Sequence, residues 1–349
     1  MSLFRVTGKL NDILSPLDLA VVRRSHFKEI FEDPVEKYKG WCSKGHVSTN
    51  ALEYLRHDNP RLLEYKKRYE GHPATSHSIW KPEYLQTDLS MGFFRDDNVY
   101  LWQSRRTGHD LLVAYAFTTY YVKDIDTLGL LEKLDEDGSF GVLTFTMDHG
   151  KIVSRDLLDS VLEINFLERH LRLSQRSSIR ILDIGAGYGR LAHRLAKGLP
   201  HLQHVLCADA VPESSFLCEY YLEYRNVSDK AKTIPLDAVQ ASLEHHDVDI
   251  VTNIHSFQEC TMESITWWLD TILRSQAKYF MLAHYDDELF SREQDNSQRN
   301  FRPLLERHGF HLIAKEPVYA PGTLAGLYGL YPKRWHYLFE SKTRKDPWL

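Results

Sequence analysis

The segment Asp183-Ile-Gly185-Ala-Gly187-Tyr-Gly189-Arg190 limits the folds open to this chain more than any other. It follows the apolar run Ile179-Arg-Ile-Leu-Asp-Ile184 and precedes a helical pattern ending at Gly198, with Pro200 beyond. That order reads as strand, glycine turn, helix. Gly185 and Gly187 let the backbone turn tightly and approach a ligand without a Cβ in the way, and Gly189 lets the helix start close to the sheet. A dinucleotide fingerprint places glycine where Arg190 stands, and a phosphate-binding P-loop needs a Gly-Lys-Ser/Thr ending that is absent here. Both phosphate readings weaken.

The charges around the turn point elsewhere. Asp183 puts negative charge where a cationic sulfonium and an ammonium would be favoured over a pyrophosphate. Asp209, in Cys207-Ala-Asp-Ala210 at the tip of the next strand-like run, is placed to accept hydrogen bonds from two ribose hydroxyls. A third run ends Pro235-Leu-Asp237-Ala238 and offers a carboxylate to adenine's exocyclic amine. With Arg190, Ala210, Ala238 and Asn253, these residues form the expected cofactor set, and the cofactor they suit is S-adenosylmethionine. Taken singly, each is an ordinary glycine turn or helix-capping carboxylate; it is their joint spacing that carries the reading.

From Ser154 onward, strand-like runs at 204–208, 231–235, 248–253, 278–284, 311–318 and 335–340 alternate with helical patterns at 212–225, 262–276 and 296–308. Strand, helix, strand, helix predicts an α/β fold, a mostly parallel sheet with helices on both faces. Ser154 is a candidate N-cap for a helix to about Leu171, with Asp156 and Asp159 near its positive end and Leu158, Val161, Leu162, Asn165 and Phe166 along one stripe. Before this the chain is irregular and aromatic. Asn59-Pro60 starts a helix that stops before Gly71, residues 110–124 suit helix or strand, and 140–153 reads as a hairpin. The predicted division is a smaller helical or mixed N-terminal domain, 1–150, for acceptor binding or dimerisation, and a cofactor-binding domain, 151–349.

The first motif, Leu182-Asp-Ile-Gly-Ala-Gly-Tyr-Gly189, resembles that of the class I S-adenosylmethionine-dependent methyltransferases, a likeness that covers about Ile179 to the C-terminus. The phrases Asn98-Val-Tyr-Leu-Trp-Gln103, Glu136-Asp-Gly-Ser-Phe-Gly141, Glu163-Ile-Asn-Phe-Leu167, Asp209-Ala-Val-Pro-Glu-Ser214 and His255-Ser-Phe-Gln-Glu259 are similar to a bacterial sugar O-methyltransferase family. The resemblance implies a Rossmann-like fold and methyl transfer, more firmly than it implies a sugar.

Methyl transfer from a sulfonium is an in-line displacement, and an alcohol must lose its proton on the way. Reacting ligands in open α/β sheets gather at the carboxyl ends of the strands, here near Asn253 to Glu259 and Ala283 to Glu288. His255 is the first candidate base. Glu259, one turn on if a helix starts at Ser256, would hold its tautomer. The plain alternative is a helix cap. His284 is the second candidate. Magnesium-dependent O-methyltransferases resemble this layout, which makes Asp286 and Asp287 a candidate divalent set; the neutral Asn253 and the solvated run of acids speak against it, and no metal is expected. Tyr100, Trp102, Gln103 and Arg106 are expected to contact the acceptor, with Trp80, Tyr84 and Arg105 nearby. Arginine beside an acceptor carboxylate would instead suit methyl-ester formation, which needs no base.

The expected activity is O-methylation of a small molecule, a sugar or glycosylated metabolite first, a carboxylate or aryl hydroxyl second. A catalytically silent module that binds the nucleoside is the reading from another class. With 43 Lys and Arg against 48 Asp and Glu, the net charge of −5 gives no field for nucleic acid. Cys42, Cys207, Cys218 and Cys260 form no Cys-x-x-Cys pair, so a reducing cytoplasm is expected, without structural zinc or disulfides. The longest uncharged run, Leu111 to Val122, falls short of the roughly 20 residues that cross a bilayer, and no signal peptide is read. A homodimer follows if the aromatic first half leaves an apolar patch exposed.

Overall fold

Runs as apolar as Ile179–Ile184 and Tyr279–His284 bury both faces, which a strand does when helices cover its sheet on each side. The computed structural model describes residues 13–14, 16, 42–43, 45–76, 79–96, 109–147, 150–346 and 348. The expected acceptor contacts Tyr100, Trp102, Gln103 and Arg106, and Arg105 beside them, lie outside the described residues. Strands β1 (Cys42–Ser43), β2 (Thr144–Thr146) and β3 (Ile152–Val153) form a small antiparallel sheet, in which the expected hairpin survives in shortened form.

The main sheet contains β4 (Ile179–Ile184), β5 (Leu202–Ala208), β6 (Ala231–Ile234), β7 (Ile250–Ile254) and β8 (Tyr279–His284). After the two-stranded ribbon of β9 (Phe290–Arg292) and β10 (Gln298–Asn300), it is completed by β11 (Phe310–Pro317) and β12 (Trp335–Ser341). The order is β11-β12-β8-β7-β4-β5-β6. Strands β4 to β8 run parallel, β12 is antiparallel to β8, and β11 is antiparallel to β12. This is the expected class I methyltransferase, Rossmann-like architecture.

Residues 110–124 resolve as the helix His109–Ile125, which buries Leu111, Tyr115, Ala116 and Val122 at helical spacing. The helix expected across 296–308 is mostly absent. Gln298–Asn300 pairs with Phe290–Arg292 instead, and only Arg302–Arg307 is helical, because exposed polar residues from 296 to 300 offer no apolar stripe to dock.

Ser154 caps the helix Arg155–Leu171, its Oγ accepting from Leu157 N–H at 3.1 Å. The expected apolar stripe is buried, and so is the opposite face with Asp156, Asp159, Ser160 and Glu163. Each acid there meets an arginine from another element: Arg95 at 3.3 Å from Asp156, Arg334 at 2.8 Å from Asp159, and Arg190 at 2.8 Å from Glu163. Burial of these charges is compatible with folding because every one is paired.

The helix Pro60–Tyr69 has the expected Asn59 cap and lies on the helix Pro212–Tyr224 through Tyr69 Oη to Ser215 Oγ at 2.7 Å, Lys66 to Glu213 at 2.9 Å, and Arg61 to Glu219 at 2.9 Å. Tyr115 and Phe145 share a core with Leu158, Ile181 and Val205; Leu62, Tyr65 and Phe94 share another with Leu182, Leu206 and Phe216. The described segments on either side of residue 150 are thus packed into common cores. Among the described residues, no helix is long and apolar enough to cross a membrane.

Candidate active site

The chain leaves β4 for β5 on one side and later returns to β7 on the other, which opens a crevice at the carboxyl ends of these strands. A cavity of about 730 Å3 occupies it, within the size range of small-molecule sites. Gly185, Gly187 and Gly189 all take left-handed φ, +69°, +57° and +84°. A Cβ on Gly185 would sit 2.2 Å from Ser256 Cβ, so this glycine lets the turns after β4 and β7 touch. A Cβ on Gly189 would sit 2.9 Å from Cys218 Sγ; the close approach it permits is to the neighbouring helix rather than to the sheet itself.

Asp183, Gly185, Gly187, Arg190, Asp209 and Ala210 line the cavity. Asp183 receives the Thr252 hydroxyl at 2.7 Å, and burial pushes its carboxyl up to about 7. Asp209 clasps the glycine turn: Oδ2 accepts from Gly187 N–H at 2.9 Å and Oδ1 from Val211 N–H at 2.8 Å, while burial pushes it up to about 6. The Ser214 hydroxyl and the Ala210 N–H also stabilise the ionised form of this carboxylate.

Gly189 and three other expected cofactor residues lie outside this lining. Asn253 is buried with its amide engaged in the fold: Nδ2 donates to Ile184 O at 2.9 Å and Oδ1 accepts from Phe257 N–H at 3.0 Å. Asp237, whose neighbour Ala238 is also absent from the lining, pairs with Arg68 at 2.7 Å, so a guanidinium from the first half of the chain sits where adenine's amine was expected.

His255, Glu259 and His284 all line the cavity, but not as a unit. No helix starts at Ser256; a single tight turn, Phe257–Glu259, follows β7. Glu259 Oε2 accepts from Trp80 Nε1 at 2.9 Å, and burial pushes its carboxyl up to about 7. His255 takes a left-handed φ of +64° and stacks on Tyr285, ring centroids 4.5 Å apart and 16° from parallel. Its Nδ1 is buried with no hydrogen-bond partner. Burial, then the nearby Arg334 and Arg190 guanidiniums, hold its pKa well below the usual histidine range, so the ring is neutral. A non-glycine residue held in this backbone region is strained, as residues at functional sites often are. His284 Nδ1 accepts from Asp286 N–H at 3.1 Å, which leaves Nε2 carrying the proton and donating to Phe290 O at 3.2 Å. Both its nitrogens therefore hold the turn after β8.

Asp286 lines the cavity and Asp287 does not; both are exposed. Among the described residues no three His, Cys, Asp or Glu side chains are grouped to hold a metal ion. Trp80 forms part of the wall, whereas Tyr84 does not.

Other wall residues carry no motif. Arg155 and Asp159 come from the helix after Ser154, Tyr331 and Arg334 from the turn before β12, and Gln258, Arg292, Asn296 and Gln298 form a polar rim. Their signal in the sequence is indirect: Asp156, Asp159 and Glu163 fall on one side of a helix whose other side is apolar, and a fully buried helix must find arginines for them. The cavity is thus acidic under the glycine turn and arginine-rich beside His255 and Tyr285.

No family model matches the sequence, and no curated protein matches it. Among solved structures, an S-adenosylmethionine-dependent methyltransferase from Aquifex aeolicus is 12% identical over 64% of this chain and 98% of its own, with a TM-score of 0.37. The [4+2]-cyclase SpnF is 12% identical over 64% and 96%, TM-score 0.40. TrmK of M. capricolum in complex with S-adenosylhomocysteine is 13% identical over 49% and 68%, TM-score 0.30. The strand order and the antiparallel β12, rather than these distant likenesses, carry the fold assignment: the chain has the class I methyltransferase fold.

Proposed function

We propose that this chain is an S-adenosylmethionine-dependent O-methyltransferase of a small polar acceptor. The observation that carries the proposal is the cavity at the switch point of the sheet, floored by a left-handed glycine turn and bordered by Asp183 and Asp209. Bound S-adenosylmethionine supplies an electrophilic methyl on a sulfonium, which an acceptor oxygen captures as the sulfur–carbon bond breaks. Asp183 and Asp209 favour a cation once ionised, and Asp209 holds the turn that shapes the pocket. His255, held neutral, accepts the hydroxyl proton, and Tyr285 stacks on its ring. The amides of Gln258, Asn296 and Gln298 at the rim suit a polyhydroxylated acceptor, in keeping with the sugar O-methyltransferase resemblance.

Calorimetry with S-adenosylhomocysteine, followed by mass spectrometry of metabolite extract incubated with methyl-labelled cofactor, tests this reading. Binding with labelled product is the expected result. Binding without product would leave a silent nucleoside-binding module, and absence of binding would remove the reading.

A further inference from the structure

One part of the cavity wall brings two buried arginines onto a single carboxylate. Arg155 and Arg334 flank one carboxylate, Asp159, at 3.8 Å and 2.8 Å. The next carboxylate, Asp156, lies 3.5 Å from Arg155 but 3.3 Å from Arg95. Arg95's second acid, Glu136, is in turn shared with Arg194, at 2.7 Å and 3.0 Å. Among the described residues, four guanidiniums and three carboxylates make up this chain of contacts, and Arg155 and Arg334 are the guanidiniums of it that line the cavity. Buried charge of this kind is costly unless a counter-charge arrives.

The wall is also rigid. Arg334 donates from Nε to Tyr331 O at 3.0 Å and from Nη2 to Asp159, and the Tyr331 ring lies 5.6 Å from the Arg155 guanidinium and 5.9 Å from that of Arg334. A preset pair of planar cations is the arrangement that recognises carboxylate or phosphate. Tyr285, which feels both arginines, stacks on His255 and so places the pair beside the candidate base.

Resting on the methyl-transfer reading, we propose that the acceptor carries a fixed negative charge, a carboxylate or a phosphate, which docks on Arg155 and Arg334 while a separate hydroxyl of the same molecule faces His255. The anion is the handle and not the nucleophile, because pairing with guanidinium stabilises a carboxylate in the ground state and makes it a poorer attacking group. The ligand is a small molecule. Arg155 is 9% and Arg334 4% exposed, recessed in a cavity wall where a polynucleotide backbone does not reach, and the chain as a whole carries −5.

The test uses the full chain saturated with S-adenosylhomocysteine, titrated with inorganic sulfate against chloride at matched ionic strength. Saturable sulfate binding is expected, weakened about tenfold in Arg155→Gln and largely kept in Arg155→Lys. Urea unfolding of both variants confirms that they fold. Glucuronate and glucose 6-phosphate, each against glucose, then compete for the sulfate site; the stronger competitor tells carboxylate from phosphate. No sulfate binding beyond that of chloride, or binding indifferent to Arg155→Gln, overturns the proposal. Displacement of sulfate by tRNA at equal charge concentration overturns the small-molecule part. Should S-adenosylhomocysteine fail to bind while sulfate binds, the methyl-transfer reading falls and the anion site stands.

Discussion

Trp80 Nε1 donates to Glu259 Oε2 across 2.9 Å, joining a segment from the first quarter of the chain to the turn that follows β7. The half-buried carboxyl is pushed up to about 7 by desolvation, and the indole N–H is among the groups that keep it from rising further. One wall of the cavity is therefore held by a bond that is strongest when Glu259 is ionised. Replacing the donor exposes that dependence. Trp80→Phe is expected to cost about 1–3 kcal/mol of unfolding free energy at about pH 8, where the half-buried carboxylate loses its donor, and less at about pH 5, where the acid is protonated with or without it. Urea unfolding at the two pH values checks this; equal costs would contradict it.

Asp183 at about 7 and Asp209 at about 6 link cofactor affinity to pH. Both stand above the unfolded aspartate value, so the folded chain holds protons that the unfolded chain releases, and their contribution to stability falls as pH rises through about 4 to 7. A bound sulfonium favours the ionised forms. Affinity for S-adenosylmethionine is thus expected to climb between about pH 5 and about pH 8, with protons released on binding. Calorimetry in two buffers of different ionisation enthalpy measures the release directly, and uptake would have the wrong sign.

Gly185 is the position where the turn tolerates least. Alanine there combines a φ of +69° with a Cβ 2.2 Å from Ser256 Cβ and 2.3 Å from its Oγ. Gly185→Ala is expected to lower stability by about 1–3 kcal/mol and S-adenosylhomocysteine affinity by at least about tenfold. The double variant with Ser256→Gly relieves the clash but not the strained φ, and should recover part of the affinity. Full recovery would mean the backbone conformation is immaterial.

The parallel core was legible because strands such as Ile179–Ile184 and Tyr279–His284 are apolar runs, and Gly185 directly after the first leaves little choice. Ser154 and Asn59 announced their helices by side-chain caps that act locally. What could not be read depended on partners distant in sequence. Asp237 looked like a ligand for adenine until Arg68 came to meet it, and Glu259 looked like a partner for His255 until Trp80 took its oxygen. Asp156 and Asp159 read as charges near the positive end of the helix Arg155–Leu171, and nothing local to them predicts Arg95 or Arg334 as neighbours. Within the helix expected from residue 296, Gln298–Asn300 pair as a strand instead, because the exposed polar residues there have no apolar stripe to bury.

His255 is the group whose loss should separate binding from turnover. His255→Ala is expected to bind S-adenosylhomocysteine as the parent does and to turn over about 100- to 10,000-fold more slowly. Because the ring's pKa is held well below the usual range, the parent kcat, measured with S-adenosylmethionine saturating at every pH, should show no fall near pH 6.5 as pH is lowered; the base is already neutral there. Turnover unchanged in the variant, or an acid limb centred on the ordinary histidine value, would remove the assignment.

Glu136 shows how far from the cavity the site is supported. Its Oε2 takes Arg95 Nη2 at 2.7 Å, Arg194 Nη2 at 3.0 Å and the Ser154 hydroxyl at 2.6 Å, and Ser154 in turn caps the helix that carries Arg155 and Asp159. Burial pushes this carboxyl up, but Arg95 and Arg194 outweigh it and hold the group below the usual glutamate range. Glu136→Gln keeps the shape and removes the charge, leaving two buried guanidiniums facing an amide. A loss of about 3–5 kcal/mol is expected at neutral pH. A carboxylate lowered on folding gives its stability above the unfolded value and loses it as pH falls, so the gap between parent and variant should narrow below about pH 4.5. Denaturant midpoints measured across that range decide the matter: a gap that stays constant into acid would show that the charge on Glu136 is not what holds Arg95, Arg194 and the helix cap together.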